Sequence, residues 1–172
     1  MEEQTKVPEE RIGALIGPEG TAKKEIEKKT KAKLLVDSAT GDVTITGEGE
    51  GFFKAADTVK AIARGFSPER AFTLLKTDCL LKVVDITEFV GKNAANQKAK
   101  RGRVIGKEGR IRREIEKKTH SLISVYGKTV AIIAKAEDLE LALEAVEILL
   151  QGAEHSTMES IIDKKGAERF EL

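Results

Sequence analysis

Apolar residues recur along this chain with two periods, and the periods alternate. Between residues 52 and 64 they fall at 52, 55, 56, 59, 62 and 63, the spacing of a helix with one buried face. Residues 139–150 show the same pattern at 139, 142, 143, 146, 149 and 150. Shorter runs rich in β-branched residues predict strands at 4–7, 33–37, 42–46, 80–86, 121–126 and 129–134. Turn residues 38–41 join one strand pair, and Tyr126-Gly127-Lys128 joins another. Mostly polar stretches with a few apolar positions predict further helices at 9–15, 21–29, 94–104 and 110–118. The order is strand, helix, helix, strand, strand, helix, and it occurs twice.

The duplication is visible residue by residue. Ile16-Gly17-Pro18-Glu19-Gly20 returns 89 residues later as Ile105-Gly106-Lys107-Glu108-Gly109. The run Glu-Ile-Glu-Lys-Lys-Thr follows each at equal spacing, at 25–30 and 114–119. A repeat of this length means two copies of one supersecondary unit. The expected division is 1–65 for the first domain, 66–77 for a joining segment, 78–152 for the second domain and 153–172 for a C-terminal tail. Ser67 is suited to cap a short joining helix at 68–75 with Pro68 in its first turn. The polar tail suits a weak helix or a frayed end equally.

Charge separates the copies. The 172 residues carry 30 Lys+Arg and 29 Asp+Glu, a net of +1. Residues 1–89 hold 14 basic and 16 acidic groups, whereas residues 98–118 hold ten basic against three acidic. A cationic cluster around one glycine turn is the footprint of a polyanion partner. With six Phe, one Tyr and no Trp, there is little material for aromatic base stacking. The single Cys79 excludes an intramolecular disulfide and a cysteine-built metal site, and no apolar run reaches the length of a membrane span. A reducing cytoplasm is the expected location.

Two glycines separated by two residues let the backbone reverse between helices and allow another chain to approach closely. The amides opening the next helix are unsatisfied and lie at the positive end of its dipole, so a phosphate fits there without regard to base. A groove lined by the flanking helix and the first hairpin strand would then take the bases. The second copy surrounds its turn, Gly106, Lys107, Glu108 and Gly109, with Arg101, Arg103, Arg110, Arg112 and Arg113, and Ile105 precedes it. The first copy has Gly17, Pro18, Glu19 and Gly20, with only Lys23 and Lys24 as nearby cations and Glu9 and Glu10 upstream. Tight RNA contact is therefore expected at the second copy. At the first, weak RNA contact or a protein partner is expected.

Order, spacing and the Ile-Gly-x-x-Gly turn resemble the type I K-homology (KH) domain, twice over. The resemblance implies a mixed α/β (α+β) fold, each domain a three-stranded sheet with three helices on one face, and loops that clamp the backbone of single strands. Ordinary KH domains carry an apolar residue three positions after the second glycine; here those positions hold Lys23 and Arg112. That departure is similar to the archaeal two-KH ribosome-assembly proteins, as are residues 109–113, 123–133 and the joining sequence Gly65-Phe66-Ser67-Pro68-Glu69-Arg70-Ala71. These are counterparts of the Dim-two (partner-of-Nob) and Krr-type small-subunit factors. The resemblance implies binding to the 3′ region of small-subunit ribosomal RNA during maturation. It also implies contacts with a Nob-type endonuclease and with the alpha subunit of archaeal initiation factor two.

Other features invite blander readings. Residues 47–51, Gly-Glu-Gly-Glu-Gly, lack dinucleotide-binding spacing and read as a flexible connection. His120 and His155 have no nucleophile or carboxylate set around them and read as surface residues, and Tyr126 suits packing or base stacking equally. No residue set suggests catalysis or a cofactor, so the expectation is a monomeric RNA-binding protein without enzymatic activity. The alternative is a KH-fold scaffold for a nuclease or initiation factor, with RNA contact secondary.

Overall fold

The structure, a computed structural model, describes residues 1–76 and 78–170; Thr77 of the expected joining segment and residues 171–172 of the expected tail lie outside them. The chain divides into two compact units, Met1–Asp78 and Cys79–Leu172.

The first unit runs β1 (Glu2–Lys6), α1 (Glu9–Ile16), a 3-10 turn at Pro18–Gly20, α2 (Thr21–Thr30), β2 (Lys33–Val36), β3 (Asp42–Thr46) and α3 (Gly49–Ala63). Its sheet is antiparallel in the order β1-β3-β2. Glu2 stands opposite Thr46 on one side, and Lys33 opposite the same residue on the other. Val43 and Ile45 alternate inward on the central strand, and Leu15, Ile26, Leu34, Val59 and Ile62 are buried in the same unit. The first strand starts earlier than residues 4–7 predict and ends before Val7, which is buried just beyond it.

Two short helices follow, α4 (Pro68–Ala71) and α5 (Thr73–Lys76). Ser67 accepts the amide of Arg70 and caps the first, as its sequence position predicts. The expectation that 66–77 belongs to neither copy is corrected, because this segment packs onto α3. Phe66, Ala71 and Leu74 are buried, and Arg11 of α1 donates to the carbonyls of Ile62 and Phe66 at 2.9 and 2.7 Å. A Phe and a Leu taken out of water contribute about 1.5–3 kcal/mol each, more than a solvated linker could forgo.

The second unit repeats the course with β4 (Leu80–Asp85), α6 (Thr87–Val90), α7 (Ala94–Ile105), a 3-10 turn at Lys107–Gly109, α8 (Arg110–Thr119), β5 (Leu122–Tyr126), β6 (Thr129–Ala134) and α9 (Ala136–Leu150). The sheet order is β4-β6-β5, again antiparallel. Helix α6 is absent from the sequence reading. Asp85 accepts the amide and hydroxyl of Thr87 at 2.8 and 2.6 Å, and these bonds hold its carboxyl below the ordinary range.

Of the two outcomes open for the C-terminal segment, the helix occurs: α10 spans His155–Phe170. Met158 and Ile162 join the core formed by Val104, Ile115, Ile132, Val146 and their neighbours. Three ion pairs fasten its outer side: Lys118–Asp163, Lys165–Glu144 and Arg169–Asp138. Met158 and Ile162, one turn apart, are the residues this helix buries.

Residues 47–51 also differ from expectation. Gly49–Gly51 form the first turn of α3, and only Gly47 and Glu48 remain as connection. A Cβ on Gly51 would lie 2.1 Å from the carbonyl oxygen of Thr30, so this glycine permits a close approach between α2 and α3.

Candidate nucleic-acid interface

Each glycine turn is built by the same backbone conformations. Gly17 has φ 74° and ψ 173°, and Gly106 has φ 73° and ψ 176°. Glu19 and Glu108 occupy the left-handed region at φ 56° and 55°, and Gly20 and Gly109 share φ 74° and ψ 15°. The first glycine is required twice over. Its φ is positive, and a Cβ on Gly106 would stand 2.4 Å from Cγ1 of Ile111. The following helices, α2 and α8, begin directly after the second glycine, and their first amides, of Thr21 and Arg110, donate back to the carbonyls of Pro18 and Lys107.

A cation braces each turn from behind. Lys24 reaches the carbonyl of Glu19 at 3.3 Å, and Arg113 reaches that of Glu108 at 2.7 Å. One residue earlier, Lys23 pairs with Glu27 at 3.4 Å and Arg112 with Glu116 at 2.7 Å. Both glutamates also accept the amide of the second residue of the next strand, Leu34 at 3.3 Å and Ile123 at 2.8 Å. Sequence reasoning missed these two glutamates as anchors, although the repeated Glu-Ile-Glu-Lys-Lys-Thr run carries them.

The copies diverge in what projects forward. The side chains of Lys107 and Arg110 are exposed and make no hydrogen bond or ion pair with any described residue, and Pro18 and Thr21 stand at the equivalent places. Gly109 leaves room for two guanidinium groups. Arg113 Nη1 and Arg112 Nη2 lie 3.2 and 3.9 Å from where a Cβ on Gly109 would sit. A guanidinium anchored through one nitrogen retains other donors, so Arg112 and Arg113 can hold the protein and still present N–H groups beside the turn.

The structure does not gather all of the basic cluster. Arg101 turns to the hairpin and donates to the carbonyl of Gly127 at 2.9 Å. Arg103 turns to the end of α9, where it donates to the carbonyls of Gly152 and Ala153. Its placement at the loop is therefore corrected: proximity in sequence to Gly106 does not place its head there, because its guanidinium is drawn to the carbonyls just past the end of α9. Ile16 and Ile105 are half-buried ahead of their turns, as residues serving both a core and a groove wall would be.

Among the described residues no group of three or more His, Cys, Asp or Glu side chains is placed to hold a metal ion, and no helix is long and apolar enough to cross a membrane.

Two antiparallel three-stranded sheets, each with a glycine turn between its first pair of packed helices, define a protein of tandem type I KH domains. Residues 80–167 match the family described as eukaryotic type KH-domain (KH-domain type I), and residues 2–61 match that described as KH domain. A KH domain-containing protein of Methanocaldococcus jannaschii is 43% identical over 97% of this chain and 77% of its own length. The pre-rRNA-processing protein PNO1 of Chaetomium thermophilum is 31% identical over 63% of this chain, a match spanning 43% of that protein. Among solved structures, Dim2p from Pyrococcus horikoshii superposes with a TM-score of 0.86 at 44% identity, covering 95% of this chain and 99% of that one. The chain in the a/eIF2alpha-aDim2p-rRNA complex from the same organism gives 0.90 at 42%, covering 98% and 95%. The chain belongs to the KH-domain family of archaeal Dim2 and its PNO1 homologues.

Proposed function

We propose that the protein binds single-stranded RNA through the turn Gly106–Gly109, and that its target is the 3′ region of small-subunit ribosomal RNA during ribosome maturation. The observation carrying this reading is the contrast between two turns of one geometry. In the second copy Lys107 and Arg110 are exposed at the turn, and guanidinium nitrogens of Arg112 and Arg113 lie beside Gly109. In the first copy Pro18, Thr21, Lys23 and Lys24 take the corresponding places, so two of the four cations are missing. The names of its relatives support the target: PNO1 is a pre-rRNA-processing protein, and the similar archaeal structure holds rRNA and a/eIF2alpha.

The RNA backbone rests on the α8 amides, its charge met by the arginines and Lys107, and the bases enter the groove between α8 and β5. The protein acts by recognition and not by catalysis, in the cytoplasm. The first copy, with its acidic turn, binds RNA weakly or receives a protein partner, such as a Nob-type endonuclease or the alpha subunit of initiation factor two.

Fluorescence anisotropy with a short RNA of the small-subunit 3′ sequence, against a scrambled strand, tests the reading. Binding should prefer the native sequence and weaken as salt rises, by a slope of about 0.7 per phosphate contact for a single strand. Combining Lys107→Asp with Glu108→Asp should abolish it. Equal affinity for both strands, unchanged in that variant, would turn the assignment toward a protein scaffold.

A further inference from the structure

The side chain and the carbonyl of Arg103 are both engaged with the segment that opens α10. Helix α7 ends at Ile105, and the amide of Lys107, which would complete the bond to the Arg103 carbonyl, belongs to the glycine turn. That carbonyl is one of the orphan acceptors at a helix end. Nε2 of His155 lies 3.1 Å from it, close enough to donate. In return, Nη2 of Arg103 donates to Gly152 and Ala153, orphan carbonyls just past the end of α9. The end of α7 is therefore met by a side chain from the start of α10, and the end of α9 by a side chain of α7. A cation at the C-terminal end of α9 is also favoured by the helix dipole.

The Arg103 side chain is half-buried. Its Nε is buried and finds no partner among the described residues. The first copy has half of the arrangement. Arg11 caps the end of α3 through Ile62 and Phe66, but Ala14 stands where Arg103 does, and α4 opens with Pro68, whose side chain has no donor. The reciprocal cap occurs in the copy that carries the cationic turn.

We infer that Arg103 and His155 are positioning residues for the glycine turn: by fixing the last turn of α7 to the α9–α10 junction, they set the direction in which the chain enters Gly106. Arg103 on this view touches no phosphate. The inference rests on the reading of Gly106–Gly109 as the RNA clamp.

Arg103→Ala, His155→Ala and the double variant separate the possibilities, using the 3′-sequence RNA and the full chain. Loss of a hydrogen bond of this kind is expected to weaken RNA binding roughly 3- to 10-fold. The salt slope should stay unchanged, because no phosphate contact is lost. The double variant should bind little worse than Arg103→Ala, since both residues serve one clasp. Without RNA, the NMR amide signals of Gly106, Gly109 and Arg110 should move in each single variant while those of β4 and β6 stay in place.

A salt slope reduced by about 0.7 in Arg103→Ala, with additive losses in the double variant, would make Arg103 a phosphate contact and overturn the inference. Unmoved turn amides with unchanged affinity would overturn it equally, leaving a merely structural bond. His155→Ala removes one half-exposed hydrogen bond and keeps the test open should Arg103→Ala fold poorly. Lys107→Asp with Glu108→Asp serves as the control. If it too leaves binding unchanged, the clamp reading falls; if it alone abolishes binding, only the positioning role falls.

Discussion

The two glycine turns have matching backbone angles and braces from equivalent residues, yet the second alone presents cations, Lys107 and Arg110, whose side chains pair with no described residue. Backbone geometry was therefore retained apart from charge. The turn is set by φ values and by the contact between its first glycine and the following helix, and neither depends on residues 18 or 107. Polyanion affinity depends on those exposed positions, which carry no packing duty. A fold of this kind can lose or gain a ligand at one copy without disturbing the core of either.

The copies also differ where their last helices begin, and here the largest effect is expected. Helices α3 and α9 are each 15 residues long, and their third residues are Gly51 and Asp138. A Cβ on Gly51 would meet a backbone carbonyl, which has no flexible end to swing aside. Gly51→Ala should destabilise the first unit by roughly 2 kcal/mol, in the range of overpacked cores. Asp138 instead pairs with the partly exposed Arg169 at 2.9 Å, so Asp138→Ala should cost at most about 1 kcal/mol. Amide exchange of α2 and α3 under mild urea measures the first effect, and that of α9 and α10 the second. Protection in α2 unchanged by Gly51→Ala would show that the close approach relaxes freely.

The comparison of turns is sharpened by moving charge from one copy to the other. In a chain whose second turn is disabled by Lys107→Asp and Glu108→Asp, Pro18→Lys with Thr21→Arg places two cations at the equivalent positions of the first. If backbone and charge suffice, RNA affinity should recover by about tenfold and the salt slope should rise by about 1.4. No recovery would mean that Glu9 and Glu10 upstream, or the groove itself, exclude RNA from this copy.

Much of this was legible in the sequence because the repeat states it twice. The strand and helix order, both glycine turns and the Ser67 cap follow from local patterns that tertiary packing did not override. What the sequence hid was direction. Arg101 and Arg103 stand within six residues of Gly106, but their heads turn to Gly127 and to the α9 end, and nothing local marks which face of α7 meets α9. Helix α10 was equally obscure, because the core buries only Met158 and Ile162 from its length, and its ion pairs to α8 and α9 leave no local pattern in the sequence. Helix α6 rests on the two bonds from Thr87 to Asp85, a side-chain device that hydrophobic periodicity does not register.

The smallest effect concerns the ninth residues of the same two helices, Asp57 and Glu144. Glu144 is matched by Lys165, whose own titration this partner raises. Asp57 has no such match among the described residues. Partial burial pushes its carboxyl above the ordinary 3.8; Lys60 opposes the shift and Glu3 adds to it. An acid that titrates higher in the folded state disfavours folding once it must ionise. The penalty is absent below 3.8, where the unfolded chain is protonated as well, and grows as pH rises to the folded value. Asp57→Asn should therefore raise the melting temperature slightly at pH 7.5, and the gain should shrink toward zero as the pH is lowered through that window. Glu144→Gln should bring no gain at either pH, because it removes a favourable partner from Lys165. A gain for Asp57→Asn that persists at low pH would place its origin in packing and not in charge.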